Sequence, residues 1–252
     1  MLTTLLDGQA FAERHGSDPV RVVALHGWAR NRNDWNSTLD GLDALAIDLP
    51  GFGTTPAPES AWSTERYADW VSTILRDLDR PVLVGHSFGG RVSIQLAAKY
   101  PELTSGLVLT GIPLYRPQAS GKVNLVYRTG RALHRRGLIA DSRMEKLREK
   151  YGSPDYRNAK GVMRAVLVKA VNDDYTEQID TIAHGVEIPV RLVWGEGDTA
   201  APTWMPEQAM AILRDRATLE VVSGSTHQLA SGLEQNLRLA IDELVHPQPE
   251  VR

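Results

Sequence analysis

The chain has 252 residues, 42% of them hydrophobic and 23% charged. That suffices for one domain with a sizeable core and excludes disordered, collagen-like and coiled-coil readings. Its 28 Lys and Arg nearly balance 31 Asp and Glu, a formal charge of −3, so no whole-chain field favours nucleic acid or an anionic membrane.

Cysteine is absent, which removes disulfides, thiolate metal sites and cysteine nucleophiles and fits a reducing compartment. Asp7 interrupts the apolar stretch 1–6, no basic n-region precedes it, and no run reaches the roughly 18 apolar residues of a membrane span. The expectation is a soluble, cytoplasmic protein.

In chain order, residues 3–15 read as an antiparallel hairpin turning at Asp7-Gly8. Short apolar runs at 20–25, 44–49, 81–84, 107–109, 190–194 and 218–222 each end near a glycine. Nearly continuous runs of that length, rich in Val and Leu, suit strands covered on both faces. Between them lie helical patterns. In 63–79, Tyr67, Trp70, Val71, Ile74, Leu75 and Leu78 fall on one face, with Ser63 as N-cap and Pro81 as stop. Further helices are predicted over 88–99, 206–214 and 229–245. Alternating strands and helices imply an α/β fold with a mostly parallel sheet and helices on both faces.

The alternation breaks over 112–185. There the pattern predicts helices at 124–136 (stopped by Gly137), 144–151 and 158–171. Ser142 and Glu145 form a capping box for the second, and Gly152 stops it. A helical excursion between two strands reads as a lid inserted in a core made of 1–111 and 186–252. The lid carries 14 Lys and Arg against 8 Asp and Glu, a net +6, which leaves −9 on the core. Arg128, Arg131, Arg135 and Arg136 are either a solvated helix face or a field that steers an anionic substrate or carrier.

The strongest local signal is Gly85-His86-Ser87-Phe88-Gly89, a G-x-S-x-G set between a predicted strand and a predicted helix. A tight, strained turn there would hold a serine hydroxyl above the carboxyl end of the sheet. A serine nucleophile needs a base, and the base needs an orienting acid. Of seven histidines, His227 alone is late in the chain and just beyond a core strand. His15, His134, His184 and His246 read as solvated or structural, and His26 and His86 stand where backbone geometry is wanted. For the acid, Asp198 follows the strand at 190–194; Asp173, Asp174 and Glu196 are its rivals. An oxyanion also needs donors. The Trp28 N–H, after His26-Gly27, and the Phe88 N–H are the candidates, so substrate contacts are expected near His26, Trp28 and Phe88.

Taken together, His26-Gly27-Trp28, Asp48-Leu49-Pro50-Gly51-Phe52-Gly53, the serine motif with Gly90, Gly195-Glu196-Gly197-Asp198 and the late His227 resemble the α/β-hydrolase family over essentially the whole chain. The resemblance implies Ser87 as nucleophile, His227 as general base then acid, Asp198 as orienting carboxylate, and Asp48 as structural. Members with aspartate at the elbow are disfavoured, because position 87 is Ser. The chain is similar to small carboxylesterases, including those that demethylate acyl-carrier-protein esters, and to lidded C–C bond hydrolases. It departs from the frequent Gly-His pair in having Thr226 before His227.

The expected activity is hydrolysis of a carboxylic ester, anionic ones included, with no metal or organic cofactor. C–C, lactone or thioester hydrolysis on the same residues, or a non-catalytic ligand-binding protein of this fold, are the alternatives.

Overall fold

The computed structural model describes residues 1–116, 125–151 and 154–246. Its strands are β1 (Leu2–Leu5), β2 (Ala10–His15), β3 (Val22–Leu25), β4 (Ala44–Ile47), β5 (Val82–His86), β6 (Gly106–Thr110), β7 (Val190–Gly195) and β8 (Ala217–Val222). They form one sheet in the order β1-β2-β4-β3-β5-β6-β7-β8. β1 and β2 make the expected hairpin and join β4 antiparallel; every other pairing is parallel.

The helices are α1 (Asn36–Leu39), α2 (Thr64–Leu75), α3 (Phe88–Lys99), α4 (Leu125–Arg135), α5 (Asp141–Tyr151), α6 (Pro154–Asn158), α7 (Gly161–Ala170), α8 (Thr176–Gly185), α9 (Trp204–Leu213) and α10 (Glu234–Val245). Ser63 caps α2 as the sequence suggests, its hydroxyl accepting the Arg66 N–H.

The central strands are buried end to end, which is why they read as unbroken apolar runs. Alternate residues serve two cores. Val23, Leu25, Leu45 and Leu83 face a core shared with residues of α2, α3, α8 and α9. Val22, Ala24, Ala44 and Ala46 face Trp35, Leu39, Leu237 and Ile241, from the α1 and α10 side. Edge strand β8 is different: Thr218, Glu220 and Val221 are exposed.

The region between β6 and β7 departs most from expectation. Helix α5 begins at Asp141, so Ser142 lies inside its first turn, and the Arg143 and Met144 N–H groups go to the Ala140 carbonyl. Glu145 instead accepts from Tyr156 Oη at 2.7 Å and from the Arg164 guanidinium, joining α5 to α6 and α7. The helix expected over 158–171 is α7, which starts three residues later at Gly161 (φ +52°, outside the right-handed region), and the short α6 before it was not expected. Helix α8 has no sequence counterpart. It packs Ile179 and Ile182 into the main core. Asn124, Gly152 and the Arg128 side chain lie outside the described residues.

Candidate active site

Three parallel strands, β5, β6 and β7, end beside one another, and β8 ends next to β7. The turns that leave their carboxyl ends carry Ser87, Gly111, Asp198 and His227. β5 runs two residues further than the apolar pattern, to His86, so Ser87 is itself the strand-to-helix turn.

Ser87 has φ 50° and ψ −109°, a conformation that costs a non-glycine residue about 1–3 kcal/mol and persists only where neighbours enforce it. The enforcing contacts are on both sides. The Ser87 N–H donates to the Thr110 carbonyl at 3.0 Å, and the Gly89 N–H donates to the His26 carbonyl at 3.0 Å. A Cβ on Gly89 would lie 2.2 Å from the Leu25 carbonyl oxygen, so only glycine permits α3 to start this close to β3.

The structure brings Ser87, His227 and Asp198 into one hydrogen-bonded chain. His227 Nδ1 lies 2.8 Å from Asp198 Oδ2, and His227 Nε2 lies 3.2 Å from Ser87 Oγ. The other Asp198 oxygen accepts the Ala200 and Ala201 N–H groups at 2.9 and 2.8 Å. Those donors hold the buried carboxylate with Oδ2 aimed at the imidazole. A carboxylate only accepts, so Nδ1 carries the hydrogen and Nε2 offers its lone pair to the serine hydroxyl.

The rivals lie elsewhere. Glu196 is exposed and accepts from Ser223 Oγ at 2.8 Å. Asp173 accepts from Thr64 Oγ1 at 3.0 Å, and Asp174 from the Thr176 N–H at 3.1 Å and hydroxyl at 2.6 Å. His134 pairs with Asp141 at 2.6 Å, and His184 sits exposed on α8.

His26 is fully buried, and its Nε2 accepts the Leu49 N–H at 3.0 Å. Burial holds its pKa below the ordinary histidine value, so the ring is neutral and fixes Gly27-Trp28 against the 49–54 turn. Asp48 closes that turn by accepting the Arg32 and Thr54 N–H groups, both at 2.8 Å, together with the Arg32 guanidinium. A Cβ on Gly27 would come within 3.4 Å of Ser87 Cβ, which places the Trp28 segment beside the serine. Among the described residues, neither the Trp28 nor the Phe88 backbone N–H has an acceptor. Phe88 is the first residue of α3, whose opening N–H groups have no intrahelical partner.

Aromatic rings wall this side of the site. Trp28 packs on Phe52 and Phe88 at 4.9 and 5.3 Å between centroids, and Tyr67 packs on Phe88 at 5.1 Å.

Sequence reasoning missed Gly111. It follows β6 with φ +58°, and a Cβ there would stand 3.1 Å from His227 Nδ1 and 3.3 Å from Asp198 Oδ2. The available signal was a Thr-Gly pair ending the strand next to the serine strand. Gly111→Ala therefore combines left-handed strain of about 1–2 kcal/mol with pressure on the imidazole. We expect kcat for an ester to fall roughly 10- to 100-fold, and steady-state kinetics showing an unchanged kcat would contradict this.

The Alpha/beta hydrolase family model matches residues 22–242. Among curated relatives, an esterase of Mycobacterium tuberculosis is 36% identical over 110 residues, covering 42% of this chain and 37% of that protein. A pimeloyl-[acyl-carrier protein] methyl ester esterase of Aeromonas hydrophila is 38% identical over 101 residues, 38% of this chain and 39% of the relative. The chain thus spans about two fifths of the length of these two. A solved thermophilic esterase superposes with TM-score 0.70 at 19% identity, covering 97% of this chain and 96% of its own. Monoacylglycerol lipase of Paleococcus ferrophilus gives TM-score 0.67 at 20% identity, over 94% and 98%. Strand order, the strained serine turn and a family match over most of the chain agree: this chain belongs to the alpha/beta hydrolase family.

Proposed function

We propose that the chain hydrolyses carboxylic esters through an acyl-enzyme on Ser87, with His227 as base then acid and Asp198 as its orienting carboxylate. One observation carries this reading: the hydroxyl, imidazole and carboxylate stand in line at 3.2 and 2.8 Å. Ser87 Oγ gives its proton to His227 Nε2 and bonds the ester carbonyl carbon. The oxyanion rests on the Trp28 and Phe88 N–H groups. Its collapse breaks the C–O bond, and the alcohol leaves with the proton from Nε2. Water then yields a proton to Nε2 as its oxygen attacks the acyl carbon, and Ser87 recovers that proton as the acid departs. Two relatives carry esterase names, which favours an ester over a thioester, lactone or C–C bond.

Residues 112–185 serve in this reading as a lid. Its helix α7 reaches the site's rim: a Cβ on Gly51 would collide with Met163, and Lys169 Nζ donates to the Ala61 carbonyl at 2.6 Å. The aromatic wall of Trp28, Phe52 and Phe88 suits an apolar acyl group, while Arg131, Arg135 and Arg136 on and just after α4 are exposed. We expect kcat/KM for an anionic ester to fall about ten-fold between roughly 0.01 and 0.15 M salt while that of a neutral ester holds. Equal salt responses would leave the basic lid as a solvated surface.

A fluorophosphonate probe tests the reading, followed by peptide mapping and by a screen of p-nitrophenyl esters of graded length beside an acyl-CoA and a vinylogous diketone. An adduct on Ser87 with ester turnover supports it; no adduct on Ser87 overturns it.

A further inference from the structure

The proposed base sits on a stretch without regular structure. β8 ends at Val222 and the next helical turn begins at Leu229, so individual hydrogen bonds must hold residues 223–228. The Gly197 N–H donates to the Ser225 carbonyl at 2.8 Å, and the Thr226 N–H donates to Ser231 Oγ at 2.8 Å. The first comes from the loop after β7 and the second from the helical turn that follows the base. The anchor from the nucleophile's side is His86, whose Nε2 lies 2.9 Å from the His227 backbone oxygen. A carbonyl only accepts, so Nε2 carries the hydrogen and donates it.

Several features make His86 suited to this contact. Its ring is 2% exposed, and a Cβ on Gly27 would come within 2.8 Å of its Nδ1, so it is wedged between two site loops. Among the described residues that Nδ1 has no partner, which leaves the His227 carbonyl as the ring's hydrogen-bond contact there. Burial, then the nearby His227, lowers its pKa to about 4, keeping it a neutral donor. Neutrality matters because the two rings are only 5.0 Å apart. A cation at position 86 would oppose the imidazolium that forms on His227 during turnover.

We propose that His86 is a positioning residue: its Nε2–H bond to the His227 carbonyl ties the loop carrying the base to the residue directly before Ser87, and so sets the separation of Ser87 and His227. The inference rests on the acyl-enzyme reading above. The Asp198 bond alone orients the imidazole about one contact, whereas the His86 bond holds the backbone from which the ring hangs. Loosening that backbone by about 1 Å costs on the order of 10²-fold in rate without weakening substrate binding.

His86→Phe keeps a flat ring and removes the donor, while His86→Gln restores a neutral N–H without the ring. Wild type and both variants are compared by melting curve, fluorophosphonate labelling of Ser87 and p-nitrophenyl acetate kinetics, with His86→Leu replacing His86→Phe if the latter does not fold. We expect the donor-less variant to lose about 10- to 100-fold in kcat with KM within about two-fold. We expect His86→Gln to return to within about five-fold of wild type. An unchanged kcat without the donor, or equal losses in the Gln and donor-less variants, overturns the positioning role. A wild type that neither labels at Ser87 nor turns over ester overturns the underlying reading, and this inference with it.

Discussion

Under the proposed acyl-enzyme, Ser87→Ala is expected to lower kcat for ester hydrolysis by roughly 10⁴- to 10⁶-fold, the range in which removal of a serine nucleophile leaves only binding and oxyanion stabilisation. The loss is chemical. Ser87 already occupies a strained turn at φ 50°, and alanine meets the same backbone strain, so the folded state is little changed. Among the described residues Ser87 Oγ bonds only to His227 Nε2, at 3.2 Å, and none there depends on it for packing. Melting temperature and kcat measured on one preparation separate the two effects. A variant retaining more than a few per cent of turnover would place the nucleophile elsewhere.

Asp198→Asn should cost about 10⁴-fold, for a reason visible in the donors around it. The Ala200 and Ala201 N–H groups require an acceptor at Oδ1, so the asparagine carbonyl must take that place. Its NH₂ then faces His227 Nδ1, where Oδ2 now stands at 2.8 Å. Two donors cannot pair, so the imidazole moves its hydrogen to Nε2 and loses the lone pair that accepts the serine proton. Steady-state kinetics on a p-nitrophenyl ester reads this directly. A near-normal rate would transfer the acid's role to another residue; Glu196, two positions away, is exposed and bonded to Ser223.

The α/β core was legible because β3 to β6 are buried on both faces, so apolar runs and their glycine ends survive as a one-dimensional pattern. Helix α8 was not. Of its ten residues, Thr176–Gly185, only Ile179 and Ile182 are buried, too few to outline a face, and tertiary packing decides it. The capping box at Ser142 failed because Asp141 and the Ala140 carbonyl take over the start of α5.

At the site, Ser87, Asp198 and His227 could be named from chain order because each follows a strand, and the structure brings them within hydrogen-bond reach. Gly111 and the contact from His86 to His227 were invisible for the opposite reason. Their importance comes from neighbours far away in sequence, 141 residues in the case of His86, and no local pattern encodes such a pairing. The charge split, by contrast, was legible: −3 over the whole chain divides into +6 on residues 112–185 and −9 on the remainder once the strand–helix alternation is seen to break.

The most direct measurement is the intact mass of the protein, quenched in acid during turnover of p-nitrophenyl acetate, with the modified peptide then sequenced. A burst of p-nitrophenol matched by one acetyl group on Ser87, absent from Ser87→Ala, is the predicted result. Turnover without any acetyl group on Ser87, or with the label on another residue, would contradict the acyl-enzyme at the centre of this account.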